Sequence, residues 1–180
     1  PLAKRLLQEC GSLAGLFQAD VEKLRSIPGV GETTIVTLKV IHEACCRKLL
    51  EETSSQPVLQ SWQAVIDYCR SRMSHLTIEQ FRLLFLDRKN KIIADEIQQQ
   101  GTVNSTPIFP REVVKRTLEL GATSLIMVHN HPSGDPTPSQ ADIDITRKVI
   151  NAAKELEIHV LDHLIIGRFG HTSLREKRLI

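Results

Sequence analysis

The chain lacks a long apolar run, a low-complexity tract, an internal repeat and a charge of either sign in excess. Its 180 residues carry 23 Lys and Arg against 21 Asp and Glu, a formal net charge of +2. So slight a surplus does not announce a nucleic-acid or membrane surface as partner. No stretch approaches the length of a membrane span and no signal-peptide pattern opens the chain, so no membrane partner is expected. Cysteine is scarce too: Cys10, Cys45, Cys46 and Cys69 show no C-x-x-C spacing. Cys45 and Cys46 are neighbours in one helical pattern, which argues against a disulfide framework. Reduced thiols in a cytoplasm are the expectation. What is present is the composition of a soluble globular protein, 41% hydrophobic and 24% charged, with length enough for one good core and a small helical appendage.

The most informative stretch is His129-Asn130-His131-Pro132, continued through Ser133-Gly134-Asp135-Pro136-Thr137-Pro138 to Ser139-Gln140-Ala141-Asp142. Before it runs Ser124-Leu125-Ile126-Met127-Val128, a short apolar segment that reads as a buried strand. Alternate residues of a strand share a face, so His129 and His131 point the same way from its C-terminal end. Three prolines and a glycine then force a loop. Ser139 reads as the N-cap of a new helix, with Asp142 in its first turn, within reach of both imidazoles. Two neutral nitrogen donors and one carboxylate suit zinc, and three protein ligands leave a fourth position for water. A plainer reading stands beside it. Ser139 and Asp142 also make an ordinary capping box, and His-x-His alone is a weak signal. Other metal classes fit worse: Ser133 and Gly134 stand where H-x-H-x-D-H would need its last two ligands, and neither H-x-E nor P-C-x-x-C occurs.

Around this stretch the chain divides. Residues 1–52 read as helical, with Leu6, Leu7, Leu13, Leu16 and Leu24 supplying apolar faces. Ile27-Pro28-Gly29-Val30-Gly31 interrupts them, and Ile35, Leu38, Ile41 and Ala44 resume the period. Residues 53–60, opening with Thr53-Ser54-Ser55-Gln56-Pro57, are the best linker candidate. The rest, 61–180, reads as one metal-bearing domain. Ser61 is placed to cap a helix through Trp62, Val65, Ile66 and Cys69, with Trp62 as a core anchor. Glu79 to Asp87 and Lys91 to Val103 read as two strands joined by a solvated basic turn, with Gly101 interrupting the second. A helix follows from Pro110, ended by Gly121. Beyond Asp142 the helical period continues through Ile145, Val149, Ala152 and Leu156; Ile158 to Ile166 is a further strand, and the tail holds one short strand or edge segment. Asp162 and His163 are read as a buried pair joining two strands, with support of a metal ligand as the alternative. His42, His75, His159 and His171 have no ligand-like spacing.

The joint pattern H-x-H-x7-S-x2-D on a strand–loop–helix frame resembles the JAMM (MPN+) zinc-hydrolase motif at each fixed position: His129, His131, Ser139 and Asp142. Further residues narrow the likeness to the bacterial RadC family: Phe85-Leu86-Asp87, Gly101-Thr102, Phe109-Pro110-Arg111-Glu112-Val113-Val114, His129 through Gly134, Pro138-Ser139, Asp142, and Val160-Leu161-Asp162-His163-Leu164-Ile165-Ile166-Gly167. The Pro28-Gly29-Val30-Gly31 turn between helices resembles a helix-hairpin-helix module, whose backbone N–H groups can meet a phosphate. RadC-like chains usually carry more helical sequence ahead of the position of Pro1, so the helical domain is expected to be truncated at its start.

The resemblance implies an α/β fold, a JAMM/MPN-type mixed sheet flanked by helices, with a small N-terminal all-helical helix-hairpin-helix domain. It implies one Zn2+ per chain, held by His129, His131 and Asp142, and a hydrolase in which metal-activated water attacks a peptide or isopeptide carbonyl of a protein or peptide substrate. In JAMM-like sites the serine matching Ser139 stabilises the oxyanion, and the catalytic glutamate precedes an apolar strand. Glu79 fits that description as general base. Glu96 is the alternative, since strand alternation leaves its direction open, and Glu112 is accounted for by the first turn of a helix. The second class of function is a DNA-associated, DNA-repair accessory role through the helix-hairpin-helix.

Basic and acidic side chains balance over residues 1–52, and Glu32 follows the turn where a cation would help. Non-specific duplex binding depends on phosphate neutralisation. The chain is therefore expected to bind duplex DNA weakly and without sequence preference through the Pro28–Gly31 turn. Tight binding with a steep salt dependence, measured by fluorescence anisotropy across ionic strengths, would contradict this.

Overall fold

A computed structural model describes residues 1–101 and 108–180. The chain forms two compact units, Pro1–Leu49 and Leu50–Ile180. In the first, α1 (Leu2–Cys10), α2 (Leu13–Gln18), α3 (Val21–Ser26) and the start of α4 (Glu32–Ser54) enclose a core of Leu6, Leu16, Leu24, Ile27 and Ile35. Short polar side chains start two of these helices: Ser12 accepts from the Gly15 amide and Asp20 from that of Lys23. Gly29, at φ +88°, turns the chain between α3 and α4, a conformation that suits glycine. Arg25, the nearest cation before that turn, is held at 2.5 Å by Glu22 and at 2.9 Å by Glu32. Helix α4 runs on through Thr53 and Ser54, the opening of the expected linker, and Thr53 is buried.

The second unit is built on a five-stranded sheet. Its elements are α5 (Trp62–Met73), β1 (Glu79–Leu86), β2 (Ile92–Gly101), α6 (Pro110–Glu119), β3 (Ser124–Asn130), α7 (Gln140–Lys154), β4 (His159–Ile166) and β5 (His171–Ser173). The strand order is β2-β1-β3-β4-β5. Only β3 and β4 run parallel, and α7 makes the crossover that parallel neighbours require. The other pairs are antiparallel, so the sheet is mixed, as expected. All seven residues of β3 are buried, which is why its sequence is continuously apolar from Leu125 to Val128. Phe81, Leu83 and Phe85 of β1 line one face with Leu125 and Met127 of β3, against Val113 and Val114 of α6 and Val149 and Ala153 of α7. The end of the second strand at Thr102 and Val103 lies outside the described residues. Among the described residues, no helix is long and apolar enough to cross a membrane.

Two local readings need correction. Ser61 precedes α5 but makes no side-chain cap; its hydroxyl donates instead to the Pro57 carbonyl at 3.4 Å. Trp62, expected as a core anchor, is only half-buried, and Val65, Ile66, Tyr68, Cys69 and Met73 carry the packing of α5.

On the sheet face opposite Phe81, Arg82 donates to Asp95 through Nε at 3.0 Å and Nη2 at 2.7 Å, with only 11% and 4% of their side chains exposed. The Tyr68 hydroxyl of α5 donates to the same carboxylate. Removing the carboxylate strands a buried guanidinium, which typically costs ~3–5 kcal/mol. Asp95→Ala should destabilise the chain by about that amount in urea unfolding, whereas Lys115→Ala, which loses an exposed pair with Glu119, should cost under ~1 kcal/mol.

Candidate metal centre

The site begins where β3 ends. Strand β1 pairs with it on one side, Phe81 opposite His129, and β4 on the other, His129 beside Ile165. The ladder runs one residue past the strand, since the His131 amide donates to the Ile166 carbonyl at 3.0 Å. Backbone on both sides thus fixes where the two imidazoles point. The loop that follows folds back on itself: the Gly134 amide donates to the His131 carbonyl at 2.9 Å, and the Arg168 amide to the Gly134 carbonyl at 3.0 Å. Gly134 has φ +89°. At Gly167 a Cβ would stand 2.3 Å from the Gly134 oxygen, so only glycine allows the two loops to touch.

The loop delivers Ser139 to the N-cap of α7. The Asp142 amide donates to Ser139 Oγ at 3.2 Å, and the Ser139 amide and hydroxyl donate to Asp142 Oδ2, each at 2.7 Å. The capping box is formed in full. It does not compete with the metal reading. While the box holds Asp142 Oδ2, Oδ1 lies 3.3 Å from His129 Nε2, and Oδ2 itself lies 3.5 Å from His131 Nε2. The cap holds a candidate ligand in place.

The tautomers follow from what surrounds the rings. Thr146 Oγ1 donates to the Asp142 carbonyl at 2.5 Å, so towards His163 Nδ1, 2.6 Å away, it must accept. Burial drives the His163 pKa well below the ordinary histidine value, with the neighbouring His129 adding to it, so the ring is neutral and its Nε2 is an acceptor. His129 Nδ1, 2.8 Å from that Nε2, is therefore the donor. His131 Nδ1 faces the Asp135 carbonyl at 2.8 Å, which can only accept. Both ligand candidates thus spend their one N–H away from the site and turn bare Nε2 lone pairs inward, 2.9 Å apart. With the Asp142 carboxylate beside them, three acceptor atoms meet with no donor of their own. That donor set fits a small cation of the zinc kind.

Without a cation, a proton takes its place. His131 has a raised pKa, chiefly through its hydrogen bond with Asp142 and against the effect of burial. Burial opposes the charge of Asp142, yet His129 and His131 outweigh it and hold the carboxyl far below its usual range. Proton and metal compete for the same lone pairs, so metal affinity rises as pH climbs through the His131 titration and falls below it.

The structure separates the candidate bases. Continuing the β1–β3 register two residues beyond Phe81 and His129 sets Glu79 opposite His131, on the ligand face of the sheet. Glu79 is half-buried, and its charge contributes to raising the His131 pKa. Glu96 is not brought to the site. It sits opposite Leu83, four residues further along β1 or roughly 13 Å at strand rise. Arg116 of α6 grips it there, at 2.6 Å and 2.8 Å, and lowers its pKa. Glu112 is exposed in the first turn of α6, as its sequence position implies.

The Asp162–His163 pairing is corrected. Consecutive strand residues face opposite ways, so the side chains part: Asp162 accepts from the Ser173 hydroxyl and the Arg175 amide, while His163 stands behind His129. Thr146 was missed altogether. Its signal was its place four residues after Asp142, one turn along the same helix face.

A protein-family model described as RadC-like JAB domain matches residues 59–179, a span that contains each residue of the site.

His131→Ala should abolish stoichiometric zinc in metal analysis of the purified chain. Thr146→Val removes the hydroxyl that fixes the His163 tautomer and should lower metal affinity ~10–100-fold in chelator competition, with the fold retained.

Proposed function

The chain belongs to the RadC-like JAB domain family, and from that premise we propose that it is a zinc-dependent hydrolase acting on a peptide or isopeptide bond. The observation that carries this reading is the convergence of His129 Nε2, His131 Nε2 and the Asp142 carboxylate, on the sheet face that also bears Glu79. Zinc held by those three atoms supplies Lewis acidity under which water becomes nucleophilic near neutral pH. In this reading Glu79, on the same sheet face, would accept that water's proton and return it to the leaving amine. Ser139 is exposed at the mouth of the site, and its hydroxyl proton rests on Asp142. Rotation about its C–O bond turns that proton toward an oxyanion. His163 and Thr146 keep the His129 lone pair aimed inward and take no part in proton transfer.

The DNA-associated reading draws less support. The turn at Pro28–Gly31 is present, but Arg25 beside it is already neutralised by Glu22 and Glu32. Arg5, whose guanidinium donates to the Pro28 carbonyl at 2.7 Å, is the other cation at the turn, within a segment 1–52 whose basic and acidic side chains balance.

The deciding experiment is metal analysis followed by cleavage of a peptide library, with and without chelator. Zinc-dependent cleavage supports the hydrolase; a zinc-loaded chain that cleaves no member of the library counts against it. Glu79→Gln keeps size and hydrogen bonding, so zinc should remain while kcat falls ~100-fold or more. Ser139→Ala should lower kcat ~100–1,000-fold, far more than the ~1 kcal/mol lost with a helix cap explains. Unchanged turnover in a slightly less stable protein would reduce Ser139 to a cap.

A further inference from the structure

Between the two histidine ligands stands Asn130, only 1% exposed and with no part in the chemistry above. Strand alternation turns it to the other face of the sheet, away from the metal centre. There its amide is spent on the main chain of the neighbouring strand. Asn130 Oδ1 accepts from the Gln80 amide at 2.9 Å, and Asn130 Nδ2 donates to the Ile78 carbonyl at 3.1 Å, with the Leu76 carbonyl at 3.5 Å. Residues 78 and 80 flank Glu79. One buried side chain therefore grips the backbone immediately before and immediately after the candidate base. The grip is itself braced, since the Gln80 side chain accepts from Arg82 at 2.9 Å, and Arg82 is locked to Asp95.

We infer that Asn130 is the positioning residue for Glu79: it sets the height and direction of that carboxylate over the metal centre from the opposite face of the sheet. The inference rests on Glu79 as the base of the proposed hydrolase. Its physical content is rigid coupling. His129 and His131 leave β3 on one side, Asn130 leaves it between them on the other, and a displacement of the base relative to the ligands must stretch one buried and one part-buried hydrogen bond. The bond to the Gln80 amide resists loss because that amide is buried and has no water to turn to. Holding a proton acceptor at a fixed distance from its target is worth one to two orders of magnitude in rate, since a displacement of about 1 Å can cost ~100-fold.

The test uses the full chain loaded with cobalt(II) in place of zinc, and reads the midpoint of the pH dependence of its visible absorption. A carboxylate poised at the metal centre influences that midpoint whether or not any substrate is cleaved. The proteins are the wild type, Asn130→Ala, Asn130→Ser, Glu79→Gln and the Glu79→Gln/Asn130→Ser pair. Asn130→Ser leaves a hydroxyl in the same buried place and keeps the measurement available where Asn130→Ala does not fold. Glu79→Gln should shift the midpoint, Asn130→Ser should shift it in the same direction, and the double variant should shift no further than Glu79→Gln alone. With a cleaved peptide in hand, Asn130→Ser should lower kcat ~10–100-fold at unchanged KM and unchanged metal content. A merely structural Asn130 would lower the melting temperature and leave the midpoint at the wild-type value, which overturns the inference. So does a double variant whose shift is the sum of the two singles, or a Glu79→Gln midpoint equal to that of the wild type. Midpoints that move as stated in a chain that cleaves nothing remove the hydrolase and leave the positioning intact.

Discussion

Two imidazole lone pairs pointed at one another repel unless a cation or a proton lies between them, and here the sheet leaves neither ring free to turn away. His129 is pinned by strands on both sides, and its Nδ1 is committed to His163. His131 is held by the Ile166 carbonyl behind its amide and by the Asp135 carbonyl at its ring. The 2.9 Å contact between their Nε2 atoms is therefore imposed by the fold, and not a preference of the rings themselves. Much else in the second unit serves that constraint: the fully buried central strand, the loop that needs glycine at 134 and 167, and the cap that fixes a carboxylate beside the rings.

The ligand set was legible because its two spacings are each set by one local rule. A period of two puts His129 and His131 on one face, and the cap-to-third-residue spacing of a helix puts Asp142 beside Ser139. The supporting residues obey no such local rule. His163 reaches His129 only through the register of β4 against β3, where it lies opposite Met127, and that register includes an irregularity after Leu125. Glu96 and Glu79 could not be told apart from alternation alone. The β1–β3 register and the grip of Arg116 on Glu96 separate them, and both are tertiary.

Order of elements and their types were legible wherever period and punctuation agreed, as at Gly121 or Pro110. The misreading at Ser61 came from treating residue type as sufficient for a cap. A capping serine needs its hydroxyl to face the amides of the first turn, and at Ser61 the preceding Pro57 carbonyl claims it instead. Asp162 and His163 failed for a related reason, since adjacency in a strand places two side chains on opposite surfaces.

None of the four cysteines forms a disulfide, so no covalent bond closes any loop. A metal held as proposed would take over that office. The candidate ligands come from the end of β3 and the start of α7, so an ion bound to all three would close the loop 130–141 into a ring. Unlike a disulfide, such an ion leaves the unfolded chain unconstrained, and binding to the folded form alone adds about 2.7 kcal/mol when free metal stands at a hundred times its dissociation constant. The clasp joins the sheet to its crossover helix at the point where they part company. Without such an ion, the chain should come undone first at that junction, and the order in which its parts unravel would become a property of the ion supply around it.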